Sequence, residues 1–221
     1  AFLAAEVLAI AYLQSPAERF TRYLAFDSGV DLTMQDLMAR GYRPVSDFGC
    51  IYGILPLLIN RAWYGLAGLT PSAFRWQSLI CLGLTVWGMA RFARARNVGP
   101  AGWALLSLSI PDVFTTTFIT VVHSLEPALL VNGLAEQARG RRGGALAFAT
   151  AAVFVKPSMG YVYGACLLVG IVLASRGAKP KPAYWLRALL PATLTLLSLG
   201  LILIVAFGAW PLMETILPWK G

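Results

Sequence analysis

The sequence predicts an all-α fold: a multi-spanning transmembrane helical bundle with an outer-face first loop that carries interfacial helices. Three observations predict it. Hydrophobic residues make up 58% of the 221 residues and charged residues 13%, with a mean hydropathy of +0.68. Soluble domains carry about 25% charged residues, so this chain lacks the polar surface to cover itself in water. The apolar runs are long, rich in Leu, Ala and Gly, and do not alternate at period two as barrel strands would. In lipid, where the backbone must satisfy its own hydrogen bonds, that leaves helices. Finally, 18 Lys and Arg stand against 10 Asp and Glu, gathered in short clusters between apolar runs. This is the positive-inside arrangement, and no nucleic-acid partner is expected from it.

Residues 1–13 are apolar but shorter than the roughly 20 residues a span needs. With Glu6 inside the run, they read as a clipped first helix rather than the core of a signal peptide. A polar stretch follows to Phe48, in which Leu32, Met34, Leu37 and Met38 predict a short amphipathic helix bracketed by Gly29 and Gly41. Residues 49–68 are apolar but interrupted by Gly53, Pro56, Asn60 and Arg61. Residues 74–90 form a better span, closed by Arg91, Arg94 and Arg96. The next begins at Ala101 and is expected to break at Pro111-Asp112. A Thr-rich stretch leads to His123 and Glu126, and an apolar run over 127–138 ends at Arg139, Arg141 and Arg142. Residues 143–175 are too long for one span, and Lys156-Pro157-Ser158 cuts them, because Pro lacks the N–H and disfavours helix before it. Arg176, Lys179, Lys181 and Arg187 precede a clean span over 188–208. A tail with Trp210, Glu214 and Trp219 ends at the interface. The chain thus reads as one transmembrane domain over 1–221: outer loop and interfacial helices at 14–73, transmembrane helices at 74–208, and an outer-face tail at 209–221.

Placing all three basic clusters in the cytoplasm requires 143–175 to be a hairpin turning at Lys156 and 49–68 not to cross. Asp27, Asp31, Asp36, Asp47, His123, Glu126, Lys156 and Glu214 then gather on the non-cytoplasmic side, as the residues of a site would. A carboxylate such as Asp27 or Asp47 can take a proton, bind a metal or anchor a sugar hydroxyl; it can equally cap a helix or pair with Arg40 or Arg43. His123 and Glu126, three apart, share a face if that turn is helical. They form an acid–base pair, two of the ligands of a metal, or a helix start. Lys156 among apolar neighbours costs about 2.5–3.5 kcal/mol at membrane depth, relieved by snorkelling or by holding an anion such as a phosphate. Cys50, Cys81 and Cys166 form no ligand motif and read as packing residues.

The run Asp27-Ser28-Gly29-Val30-Asp31-Leu32, then Gly41-Tyr42-Arg43-Pro44, Ser46-Asp47-Phe48 and Tyr52-Gly53-Ile54-Leu55-Pro56, resembles the first outer loop of the GT-C glycosyltransferases. These are polyprenyl-phosphate-sugar-dependent membrane enzymes, protein mannosyltransferases and aminoarabinose transferases among them. His123-Ser124-Leu125-Glu126-Pro127 and Lys156-Pro157-Ser158 are similar to later motifs of the same enzymes. Ser28 stands where the family commonly has an acid, and Tyr42-Arg43-Pro44 alters the family's order. The resemblance implies the N-terminal part of a multi-pass enzyme in the bacterial cytoplasmic (inner) membrane. Its partners would be the bilayer and a polyprenyl-phosphate-linked sugar donor. It implies that Asp27 activates the acceptor, with Asp47 beside it. Arg43, Tyr52, His123, Glu126 and Lys156 would bind substrate; no cofactor is assigned with certainty, and a divalent metal ion is the candidate. The rival readings are a transporter or flippase of lipid-linked sugars, and a non-catalytic scaffold subunit.

Overall fold

The computed structural model describes residues 24–50, 52–117, 121–175 and 182–217, with the side chains of 24–28, 71 and 111–117 left aside. The expected first helix over 1–13 and the basic residues Arg176, Lys179 and Lys181 lie outside the described residues, as does Trp219. The described residues are all-helical: α1 Leu24–Ala39, α2 Leu55–Ala67, α3 Pro71–Ala95, α4 Pro100–Thr117, α5 Val121–Ala138, α6 Arg142–Val153, α7 Pro157–Ser175, α8 Pro182–Phe207 and α9 Ala209–Ile216.

Proline and glycine punctuate these helices in the order their chemistry favours. Proline sits in the first turn of α2, α3, α4, α7 and α8, where its fixed φ suits the helix and its missing N–H has no intrahelical partner to lose. Thr70 adds a cap to α3, its Oγ1 accepting the Ala73 N–H at 3.1 Å. At the far ends, Gly41 (φ +92°) and Gly140 (φ +76°) take the left-handed conformation. They close paired bonds: Tyr42 and Gly41 donate to the carbonyls of Leu37 and Met38, and Arg141 and Gly140 to those of Glu136 and Gln137. Both are Schellman stops, which satisfy carbonyls the helix would leave open.

Two expectations are corrected here. The amphipathic helix is longer than the bracket drawn by Gly29 and Gly41: α1 starts at Leu24 and takes Gly29 into its interior. A lone glycine weakens a helix by about 1 kcal/mol but does not end one. The break at Pro111-Asp112 is also absent, for α4 runs on to Thr117. Pro127 and Pro191 likewise lie inside α5 and α8. An interior proline removes one hydrogen bond, and neighbouring groups can take up the freed carbonyl. At Pro191 that carbonyl is Arg187's, and Gly143 of α6 lies against it so closely that a β-carbon there would sit 2.7 Å from the oxygen. The break at Lys156-Pro157 is as expected, with α6 ending at Val153 and α7 opening at Pro157.

Helix α3 packs along α5, α5 against α6, and α6 against both α7 and α8. Small residues allow the close approaches. Gly88 abuts Asn132 between α3 and α5, Gly160 abuts the Val153 backbone across the α6–α7 turn, and Gly143 abuts Pro191 between α6 and α8. A buried cluster of Met38, Ile54, Leu55, Leu57, Val122, Phe154, Val155, Leu203 and Leu212 ties α1, α2 and α9 to the end of this bundle that holds the α6–α7 turn.

Helices α7 and α8 are long and apolar enough to cross a membrane, with mean hydropathies of 1.7 and 2.4 over their most apolar stretches. Only 17% and 11% of those stretches are buried, whereas the core helix of a soluble domain would be largely covered. Leu173, Leu197, Leu201 and Val205 project outward and call for apolar surroundings. Helix α2 has 13 residues, about 20 Å of rise, too short to cross. Arg75, Gln77 and Arg91 in α3, and His123, Glu126, Asn132 and Glu136 in α5, lower the hydropathy of those helices.

Candidate functional site

The two ends of the bundle carry different chemistry. At one end Glu136, near the end of α5, takes the Arg91 guanidinium of α3 in a close ion pair, with Arg139 at 3.6 Å and Arg141 at 3.9 Å. Arg91 also donates to Asn132 Oδ1 at 3.0 Å and stacks over Trp87. Asn132 Nδ2 in turn donates to the Leu84 and Ala128 carbonyls at 2.9 Å. One carboxylate thus gathers three guanidiniums from two of the basic clusters. Arg187 of the third cluster borders Gly143 through its backbone. Arg91, Arg139, Arg141 and the Arg187 backbone therefore share one end of the bundle.

The candidate site lies at the other end. Its first support is a backbone dock. The Gly53 N–H donates to the Val155 carbonyl at 3.0 Å and the Leu55 N–H to the Phe154 carbonyl at 3.1 Å. Gly53 is obligatory there, because a β-carbon would overlap the Phe154 carbonyl. This dock carries Tyr52 to α5, where its hydroxyl and His123 Nε2 are hydrogen-bonded at 3.2 Å and the rings meet edge to face at 5.4 Å. One turn along α5, Glu126 Oε2 accepts from Lys156 Nζ at 3.1 Å, across 30 residues of sequence. Lys156 is 27% exposed and Glu126 11%, so the pair is partly shielded from water. Helix α1 reaches the same end: the buried Asp31 carboxylate accepts the Val121 N–H at 3.2 Å, at the start of α5, where a helix favours negative charge.

Of the residues expected from sequence, the structure thus joins Tyr52 to His123 and Glu126 to Lys156, on adjacent turns of one helix. Asp47 and Arg43 meet elsewhere, within their own loop. Asp47 Oδ2 accepts the Arg43 N–H at 2.7 Å and the Asp47 N–H donates to the Arg43 carbonyl at 3.0 Å. Both side chains are exposed. Asp27 lies on α1, one turn before Asp31, and its side chain is outside the described residues. Asp31, weighed in the sequence only as a neighbour of Asp27, proves to be the acid that ties α1 to α5; nothing local distinguishes a carboxylate whose partner is 90 residues away. Among the described residues no three His, Cys, Asp or Glu gather as metal ligands would. Lys156 occupies the Glu126 carboxylate on the side it shares.

The arrangement offers an ammonium held in place by a carboxylate, and a phenol–imidazole pair that can pass or hold a proton. Lys156 has three donors, of which the Glu126 bond uses one. Such a group can donate to an anionic oxygen, and the neighbouring His123 and Tyr52 can bind hydroxyls. Comparison with family models, with curated proteins and with solved structures finds no match to this chain.

Proposed function

We propose that this chain is part of a multi-pass membrane glycosyltransferase of GT-C type, seated in a bacterial cytoplasmic membrane. It would move a sugar from a polyprenyl-phosphate donor to an acceptor hydroxyl on the non-cytoplasmic face. The observation that carries the reading is the Lys156–Glu126 pair beside Tyr52–His123, at the end of the bundle opposite the arginines. A fixed cation beside two hydroxyl-binding groups supports a site for a phosphate-linked sugar, with that end proposed to lie at the non-cytoplasmic face.

In this reaction the acceptor oxygen attacks the anomeric carbon as the bond from that carbon to the phosphate oxygen breaks. The electron pair of that bond leaves with the polyprenyl phosphate, and the acceptor proton passes to a base. Asp27 is the base of this proposal. Lys156 faces the charge that develops on the departing phosphate, where a positioned cation is most effective. Glu126 holds the ammonium, and Tyr52 with His123 orients the sugar. Asp47 and Arg43 shape the loop between α1 and α2.

The test is sugar transfer by the whole protein in liposomes, with a panel of polyprenyl-phosphate hexoses and pentoses as donors. Lys156→Met should raise the donor KM about tenfold or more, the worth of one charge-assisted hydrogen bond, while kcat changes less. Absence of both transfer and donor binding by the unaltered protein across the panel would defeat the reading.

A further inference from the structure

The arginine-rich end carries an open cavity of about 1010 Å³ between the start of α6, the end of α7 and the start of α8. It lies at the far ends of α6 and α7 from the Lys156 turn, separated from the candidate site by the length of those helices. Its volume is at the top of the roughly 300–1,000 Å³ usual for small-molecule sites. Arg141, Arg142 and Arg187 line it, together with Ser175, Tyr184 and Pro191.

The charge in this cavity is poorly compensated. Glu136 is the acid beside it, and its carboxylate is already shared by Arg91, Arg139 and Arg141. Arg142 stacks on the Tyr184 ring at 5.3 Å, which fixes its plane and leaves its N–H fork unspent. Arg187 forms no ion pair with any described residue. The Tyr184 hydroxyl is buried and meets no hydrogen-bond partner among the described residues. That hydroxyl has essentially no accessible surface, so what Tyr184 offers the cavity is its ring beneath Arg142. The first turns of α6 and α8 both border the cavity, and each adds partial positive charge.

We infer that this cavity binds a phosphate group, held by Arg142 and Arg187, with Arg141 at the rim. The geometry points to the headgroup of an anionic phospholipid as its source. The two walls of the cavity, α7 and α8, are the helices long and apolar enough to cross a bilayer. Just beyond the cavity they leave Val172, Leu173, Leu186, Leu189 and Leu190 outward, an apolar track for acyl chains below a phosphate. This inference is independent of sugar transfer at the other end.

The experiment places the whole purified protein in nanodiscs of mixed phosphatidylglycerol and phosphatidylcholine and measures which lipid is retained on transfer to detergent, by native mass spectrometry. Phosphatidylglycerol should be retained over phosphatidylcholine by about tenfold or more, because both carry the phosphate but the choline ammonium cancels its charge and is repelled by the arginines. Arg142→Gln with Arg187→Gln should reduce that preference to about threefold or less, and Tyr184→Phe, which keeps the ring beneath Arg142, should leave it intact. Arg94→Gln with Arg96→Gln removes two exposed charges that do not line the cavity and should leave the preference intact. Thermal melts in detergent confirm that each variant is folded. Binding of inorganic phosphate that is lost in the Arg142/Arg187 variant, without lipid preference, assigns the same site to a soluble phosphate. An equal loss of preference in the Arg94/Arg96 variant, or no binding of either probe, overturns the inference.

Discussion

Lys156 Nζ lies 3.1 Å from Glu126 Oε2, so the residue that closes the α6–α7 turn is tied to the second turn of α5. Both groups are largely shielded, at 27% and 11% exposure. Removing one charge leaves the other without compensation, which for a fully buried pair costs about 3–5 kcal/mol; water access to Lys156 lowers this to about 1–3 kcal/mol. Lys156→Met and Glu126→Gln should each lower the thermal midpoint in detergent. The double variant should be more stable than the sum of the two losses implies, because it removes both charges. Strictly additive losses would show that the two side chains are not energetically coupled.

The dock of Gly53 on Phe154 and Val155 leaves no room for a methyl group, because the obstacle is backbone that cannot turn aside. Gly53→Ala should therefore displace the loop, separate Tyr52 from His123, and cost about 3 kcal/mol or more, in the range of severe overpacking. Gly65 provides the contrast: it lies inside α2 with open space around its α-carbon. There Gly→Ala should stabilise by about 0.5–1 kcal/mol through helix propensity. Melting curves of the two variants check the pair, and a stable Gly53→Ala protein would mean the dock is not required.

At the arginine-rich end, Glu136 serves Arg91, Arg139 and Arg141 at once. Glu136→Gln should leave those guanidiniums repelling one another and cost about 2–4 kcal/mol, near the range for a broken buried pair. Arg139 is 39% exposed and 3.6 Å away, so Arg139→Gln should cost about 0–1 kcal/mol, as for an exposed pair. Comparable losses in both variants would indicate that Arg139, rather than Arg91, dominates the cluster.

Membrane orientation is checked by single cysteines in a protein whose own cysteines are replaced. Ser28→Cys and Ser158→Cys should react with an impermeant thiol reagent outside intact cells, and Ala95→Cys only after permeabilisation. Lys156–Glu126 and Arg91–Glu136 mark opposite ends of α5, ten residues or about 15 Å of helix apart. Among the native cysteines, Cys50 contributes little background even if retained, since burial raises its thiol pKa above the ordinary value. Reaction of Ala95→Cys from outside would invert the orientation.

The legible parts of this molecule are those decided by local backbone chemistry. The Lys156-Pro157 turn and the stop at Gly41 follow from a missing N–H and a left-handed residue. The same rule failed at Pro111, and Pro127 and Pro191 show that it is a weak one inside apolar helices, where the freed carbonyl finds other company. Arg187's carbonyl against Gly143 is one such case, and only the packed structure displays it. The site was half legible. Tyr52, His123, Glu126 and Lys156 are unusual enough among apolar residues to be noticed singly. Their pairing depends on Gly53 docking to Phe154, a contact between segments about a hundred positions apart with no shared local pattern. Asp47 had the same outward look as the site acids, yet its carboxylate is spent on the Arg43 N–H four residues away. Asp31 stood among the acids of the prospective site and is a buried link between helices.

Asp27 bears the proposed chemistry most directly, and its neighbour supplies the control. Asp31 is one turn further along α1, buried, with its carboxylate accepting the Val121 N–H. Asp31→Asn keeps an acceptor oxygen for that bond but loses the charge at the start of α5. A carboxylate near a helix N-terminus contributes about 0.3–1 kcal/mol, so this variant should melt earlier and turn over near the normal rate once folded. Asp27→Asn keeps size and one acceptor oxygen but cannot take a proton at neutral pH. If Asp27 is the base, turnover should fall by about 10²–10⁴-fold, with donor binding and melting temperature little changed. Restoring carboxylate chemistry with Asp27→Glu should recover part of the rate, which a purely structural role would not. Near-normal turnover in Asp27→Asn would remove it from catalysis, and a large rate loss in a folded Asp31→Asn protein would transfer the role to Asp31.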